Sequence, residues 1–292
     1  MAEMSGTLLC FGLGYSAEVL AQRLMGLGWR IIGTSRKAER RRELEAKGFT
    51  MHDFERGTPL PDAAFEGVTH VLTSITPGEA GNPVLDMHEA ELRRAGLAWT
   101  GYLGTTGVYG DRGGEWVDET TPIEPTLART DRRARAEAQW LESGLPAHVF
   151  RLAGIYGPGR NPFVNLKAGT ARRIVKPGQV FSRIHVEDIA TVLEASIARP
   201  DPGRIYNVCD DEPAPPQDVV AHAAELLGVE PPAEQDYATA ELSPMARTFY
   251  KDNRRVRNAR IKLELGVRLA FPTYREGLLA LLATDGRPSA SA

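Results

Sequence analysis

Thr7-Leu8-Leu9-Cys10-Phe11-Gly12-Leu13-Gly14-Tyr15-Ser16-Ala17 runs from an apolar stretch through a G-x-G-x-x-A turn into a helical pattern spanning Ala17 to Leu27. Gly12 permits the tight turn, Gly14 lets a ligand approach the backbone, and Ala17 lets the helix pack closely on the strand. The turn ends at a helix N-terminus, where Tyr15, Ser16 and Ala17 supply unpaired N–H donors at the positive end of the dipole. A dinucleotide pyrophosphate fits such a place. Glycine turns also occur as plain βα connections, so the buried strand before the turn and the amphipathic helix after it carry the reading.

Outward from this unit, strands and helices alternate. Strands are expected at Leu8–Gly12, Arg30–Thr34, Thr50–Asp53, His70–Thr73, Trp99–Gly104 and Ala147–Leu152, with a seventh at Ile205–Val208. Helices are expected at Ala38–Lys47, Asp86–Ala95, Arg129–Ser143, Pro162–Thr170, Glu187–Ala198, Gln217 to Gly228 and Tyr274–Leu282, with Ser182–Val186 extended. Such alternation with short connections gives an α/β fold: a doubly wound parallel (Rossmann) sheet covered on both faces. A smaller C-terminal substrate cap is expected to complete it. The dinucleotide-binding part is expected to take residues 1–153 and about 183–210, and the cap 154–182 and about 211–285, leaving 286–292 as a flexible tail. The crevice between the two parts is the expected ligand site.

Composition narrows the classes of function. The chain has 292 residues, 25% of them charged, and a net charge of −3, which argues against a general polyanion binder such as a nucleic-acid protein. Arginine outnumbers lysine 29 to six, yet Arg40-Arg41-Arg42 alternates with Glu39, Glu43 and Glu45 as a solvated helix face does. Two cysteines, Cys10 within the first strand and Cys209 just after the strand-like Ile205–Val208, suit a reducing cytoplasm rather than a disulfide framework or a metal cluster. With Glu3 near the start, no basic leader and no long apolar run, neither a signal peptide nor a membrane span is expected.

The second strand selects between coenzymes. It ends Thr34-Ser35-Arg36, without the acid that accepts from an NAD ribose. Arg36 can hold a 2′-phosphate, with Thr34 and Ser35 donating hydroxyl hydrogen bonds, so NADP is expected over NAD. Arg36 also reads as an ordinary surface charge opening the next helix. Asp53, closing the third strand, could accept from an adenine amino group or cap its turn.

Several further segments follow along the chain: Thr105-Thr106-Gly107-Val108-Tyr109-Gly110-Asp111, Asp118-Glu119-Thr120-Thr121-Pro122, Arg151 to Gly159 (RLAGIYGPG) and Ile184 to Ala190 (IHVEDIA). With the glycine turn they resemble the extended short-chain dehydrogenase/reductases, the epimerase and dehydratase superfamily, over about the first 200 residues. The resemblance implies a hydroxyl after the fifth strand to hold the substrate oxygen, and Thr105 matches it. It also implies a Y-x-x-x-K pair, which this chain lacks. Counting back from Glu137 puts Arg129 and Arg133 at those positions. A guanidinium, with a pKa above about 12, keeps charge but exchanges no proton near neutrality. The chain therefore resembles atypical members with a degenerate site. Tyr109 is the candidate to carry the proton, with Arg133 as its activating cation, although a pocket-wall role fits Tyr109 too. Asp86 is a lesser candidate, for ordering a water or capping its helix.

At the cleft mouth, Tyr156, Arg160 and Arg183 are expected to border the substrate, and an arginine there suits a phosphate or carboxylate. His185 reads as structural before catalytic, Asp188 as satisfying donors at its helix start, and Arg172-Arg173 as a surface pair. The expected function is an NAD(P)-binding oxidoreductase or epimerase acting on a small substrate, anionic or nucleotide-linked. The alternative is a non-catalytic NADP-binding sensor. A homodimer is what the resemblance implies for assembly.

Overall fold

The computed structural model describes residues 5–286. Glu3 and positions 287–292 of the expected tail lie outside the described residues. In chain order the strands are β1 (Thr7–Phe11), β2 (Arg30–Thr34), β3 (Thr50–His52), β4 (His70–Thr73), β5 (Trp99–Thr105), β6 (Trp116–Val117), β7 (Ala147–Leu152), β8 (Gly154–Tyr156), β9 (Arg173–Val175), β10 (Arg183–His185), β11 (Ile205–Val208), β12 (Glu234–Asp236) and β13 (Arg255–Val256). The helices are α1 (Tyr15–Gly26), α2 (Ala38–Glu45), α3 (Pro83–Arg94), α4 (Ala128–Glu142), α5 (Pro162–Lys167), α6 (Val186–Ala198), α7 (Pro216–Leu227), α8 (Pro244–Phe249), α9 (Ala259–Leu263) and α10 (Tyr274–Leu281).

Seven strands make one sheet in the order β11-β7-β5-β4-β1-β2-β3, every neighbouring pair parallel. The doubly wound α/β fold is thus present, with strand order reversing between β1 and β4. Both faces are buried, which is why its strands read as continuous apolar runs. Successive residues of β1 serve opposite layers. Leu8 and Cys10 pack with Leu20 and Leu24 of α1 and Ile189 and Leu193 of α6. Leu9 and Phe11 pack with Val84 and Leu92 of α3 and Ala136 and Trp140 of α4. Each fully buried leucine of this kind contributes about 1.5–3 kcal/mol.

The two helices on the first face are tied by Arg23, which donates to Thr191 at 3.1 Å and to Glu194 at 3.0 Å. Beyond β7 a further cluster forms where Tyr156 and Phe163 meet Val219 and Ala223 of α7 and Tyr274 and Leu278 of α10. Ile261, Leu265 and Val267, placed with the cap by the sequence, pack instead against the α1/α6 face of the sheet, because their apolar side chains join that core. Three short strand pairs (β10 with β8, β12 with β9, β13 with β6) knit the C-terminal segments to the loops after β5 and β7.

Local capping departs from expectation twice. α3 begins at Pro83, with Asn82 accepting from Val84 N at 3.2 Å, so Asp86 is not its cap. α6 is capped by His185 Nδ1, which accepts from Glu187 N at 3.2 Å. Asp188, buried, accepts instead from Ala270 N at 2.7 Å and Phe271 N at 3.0 Å. No helix among the described residues is long and apolar enough to cross a membrane.

Candidate active site

A cleft of about 820 Å³ opens at the carboxyl ends of β1, β4, β5 and β7, where the sheet order reverses. The glycine turn forms its floor. Gly12 sits at φ +84°, a conformation that favours glycine, and its N–H donates to Thr34 Oγ1 at 2.8 Å. The Gly12 carbonyl accepts from the Ser74 hydroxyl, linking the turn to the end of β4. Gly14 caps α1 with no side chain, and a Cβ there would meet no atom within 4 Å. The space above the first turn of α1 is open, and its N–H groups have no helical acceptors. Tyr15 and Ser16 line this space, whereas Ala17 is buried and packs the helix on the sheet.

At the tip of β2, Arg36 and Lys37 are exposed, and Arg36 forms no ion pair among the described residues. Two expected binding groups are used elsewhere. Thr34 is 1% exposed, and its hydroxyl holds Gly12, so it supports the turn rather than reaching a ribose. Asp53 pairs with Arg41 at 3.2 Å, which takes up the carboxylate expected to meet an adenine. Ser35 Oγ accepts from Lys37 N at 3.3 Å, and the Ser35 carbonyl accepts from Arg41 at 2.7 Å.

Thr105 ends β5 at the cleft, its Oγ1 accepting from Gly107 N at 3.1 Å. Tyr109 is not in the cleft, which corrects its assignment as proton carrier. The turn over Thr106–Tyr109 carries it inward, where it is 0% exposed. Its hydroxyl accepts from Arg151 at 2.7 Å and donates to Asn207 Oδ1 at 2.8 Å. Burial pushes its pKa up to about 12. Nor is Arg133 beside it: Arg133 donates to the Leu103 and Gly104 carbonyls at 2.8 and 3.0 Å and reaches Thr76 at 3.4 Å. Arg129, four residues earlier on the same helix face, donates to Thr248 Oγ1 at 2.5 Å and lies 4.9 Å from the Phe249 ring centroid.

The far end of the cleft is cationic. Arg183 donates to the carbonyls of Phe181 at 2.8 Å and Ala214 at 3.1 Å. Arg254 donates to Gly110 O at 2.8 Å and approaches Asp252 Oδ2 at 3.4 Å. Burial lowers the pKa of both guanidiniums. Arg160, exposed, stands 5.8 Å from the Tyr15 ring centroid. Among the described residues, five arginines thus line the cleft and Asp252 is its one carboxylate. Tyr156 reaches the wall but is 7% exposed, edge-on to His185 at 5.1 Å. His185, held neutral by burial with a pKa pushed down to about 4, is a helix cap.

The sequence reading missed Phe181, Thr248, Phe249, Asp252 and Arg254, which come from the six-residue helix α8 and from irregular segments beside short strands, none with an apolar periodicity. It also missed Ser74 and Thr76, which the rule that ligands sit where strand order reverses does indicate. Among the described residues no group of three or more His, Cys, Asp or Glu side chains could hold a metal.

No family model matches the chain. A solved structure of a functionally unknown conserved protein from Silicibacter pomeroyi is 57% identical, with a TM-score of 0.88 over 95% of this chain and 98% of that one. A solved structure from Methylobacillus flagellatus, described as that of an NAD-dependent epimerase/dehydratase, is 25% identical with a TM-score of 0.71, covering 95% of this chain and 98% of its own. The 3-diazoavenalumate denitrifying reductase of a Streptomyces species is 29% identical over 181 residues, which is 56% of this chain and 58% of the reductase. By these likenesses and by its seven-stranded sheet, the chain is similar to epimerase/dehydratase-type extended short-chain dehydrogenase/reductases, and its sequence contains no Y-x-x-x-K pair.

Proposed function

We propose that the protein is a nicotinamide-dinucleotide-dependent oxidoreductase or epimerase, with NADP its preferred coenzyme, acting on a small anionic substrate. One observation carries the reading: the open N-terminus of α1 and five arginines with a single carboxylate share one cleft. The reductase and epimerase/dehydratase relatives support catalysis.

The glycine turn fits the pyrophosphate, since the room above Gly14 is what a phosphate needs and the α1 donors face it. Arg36 would hold the 2′-phosphate, with Ser35 beside it, and Arg133 would border the nicotinamide end. When bound, the coenzyme supplies or accepts a hydride. The chain's own part is positioning and electrostatics. Thr105 orients the substrate oxygen with its hydroxyl. Arg129 stabilises negative charge at that oxygen without releasing a proton, so the proton is exchanged with water in the cleft.

The burial of Tyr109 favours the second reading, a non-catalytic NADP sensor, because it removes the one phenol set to carry the proton. A thermal-shift series with NADPH and NADH tests the coenzyme, since stabilisation grows with ligand over Kd. NADPH oxidation across a panel of organic acids then separates the readings. Binding without turnover on any acid selects the sensor, and no response to either coenzyme sinks both.

A further inference from the structure

We infer that the cleft takes an organic anion with a flat apolar body, of the aryl- or enyl-carboxylate class, and not a sugar nucleotide. This rests on the proposed function and names its substrate class. The argument is one of donor and acceptor balance. Arginine donates and never accepts. Arg129, Arg183 and Arg254 are each anchored on protein oxygens, which fixes their forks while leaving N–H groups for a ligand. Acceptors are scarce. Among the described residues no Asn, Gln, Glu or His lines the cleft. Asp252 is engaged by Thr126 at 2.7 Å and by Arg254 at 3.4 Å. The hydroxyl oxygens of Thr105, Thr130, Ser182 and Thr248 already accept from protein N–H groups, Gly107 N at 3.1 Å, Leu127 N at 3.3 Å, Val256 N at 3.2 Å and Arg129 at 2.5 Å.

A hexose offers several O–H donors and needs acceptors to meet them, and this wall has five arginines, one engaged carboxylate and hydroxyl oxygens that for the most part already accept from protein N–H groups. A carboxylate offers only acceptors, and a bidentate guanidinium matches its geometry. The remaining wall is apolar and aromatic. Phe181 stands edge-on to Tyr250 at 5.5 Å, and Phe249, 56% exposed on α8, lies under the Arg129 guanidinium. Flat side chains of this kind receive a flat conjugated body.

Isothermal titration with trans-cinnamate tests the class, using acetate, cinnamyl alcohol and UDP-glucose as comparisons, on NADPH-saturated and NADPH-free protein. Cinnamate is expected to bind at least tenfold tighter than acetate and cinnamyl alcohol, and tighter than UDP-glucose. Arg183→Met is expected to weaken cinnamate at least tenfold. Arg129→Gln, at a half-buried position, gives the same direction without disturbing the core. UDP-glucose binding tighter than cinnamate overturns the inference. So does acetate or cinnamyl alcohol matching cinnamate, or the absence of cinnamate binding to folded protein. Loss of NADPH binding with cinnamate binding retained sinks the coenzyme assignment instead.

Discussion

Arg151 Nη1 donates to the phenolic oxygen of Tyr109 at 2.7 Å, joining β7 to the loop after β5 inside the core. Glu137 on α4 completes the arrangement, accepting from Arg151 Nε at 3.1 Å, with both partners 4% exposed. Removing one member of a buried ion pair strands the other charge, so Glu137→Ala is expected to cost about 3–5 kcal/mol. Tyr109→Phe leaves the Asn207 and Arg151 groups unmatched, at about 1–3 kcal/mol. Urea denaturation reads both. The Tyr109 variant should keep its NADPH affinity, and loss of that affinity would return the residue to the cleft.

The sheet was legible because parallel strands buried on both faces must be apolar throughout. Arg30–Thr34, His70–Thr73, Ala147–Leu152 and Ile205–Val208 match expectation to the residue. The glycine turn was legible because its chemistry is local. Tyr109 was not: its burial depends on Asn207, 98 positions away, and on a short turn that rotates Val108 and Tyr109 behind Thr105 and Thr106. The cleft's far wall is equally non-local, since Arg129 finds Thr248 across 119 positions and α8 has no apolar stripe to announce it.

The two turn glycines should separate folding from binding. Gly14→Val places its branch in open space, costing about 0.5–1 kcal/mol at the cap while lowering NADPH affinity at least tenfold. Gly12→Ala forces a β-carbon onto a backbone at φ +84° and within 2.9 Å of Ser74 Oγ. It is expected to lower thermal stability by about 1–2 kcal/mol as well as binding. Equal stability losses in the two variants, measured by calorimetry, would contradict the open cradle.

Asp210 gives a pH signature. Its carboxylate is 1% exposed with neither oxygen hydrogen-bonded, and burial pushes its pKa up to about 8 from an ordinary 3.8. Between pH 3.8 and 8 the folded protein holds a proton that the unfolded chain has lost, so this contribution to stability is full below 3.8 and lost as pH rises through 8. His70 and His185 act in the other direction, because burial lowers each to about 4 from 6.5. Their contribution is full above 6.5 and lost as pH falls towards 4. Asp210→Asn is therefore expected to melt higher than wild type at pH 9, with the gap closing at pH 5. A gap that does not change with pH would remove the buried charge as its cause.

On the proposed preference for NADPH, Arg36 is the residue expected to set the choice of coenzyme. It is exposed at the end of β2 without an ion pair among the described residues, and neighbouring Lys37 adds a second positive charge. A 2′-phosphate there gains a charge-assisted contact that NADH cannot make. Arg36→Glu is expected to weaken NADPH at least tenfold and to leave NADH within about twofold, since a surface charge change of this kind scarcely alters the fold. The wild-type preference should also shrink between 0.05 and 0.5 M salt, because an exposed pair is screened over a Debye length of about 10 Å at 0.1 M. Competitive titration of the two coenzymes at both salt concentrations measures this. A preference that survives both the substitution and the salt would place discrimination elsewhere on the β2–α2 segment.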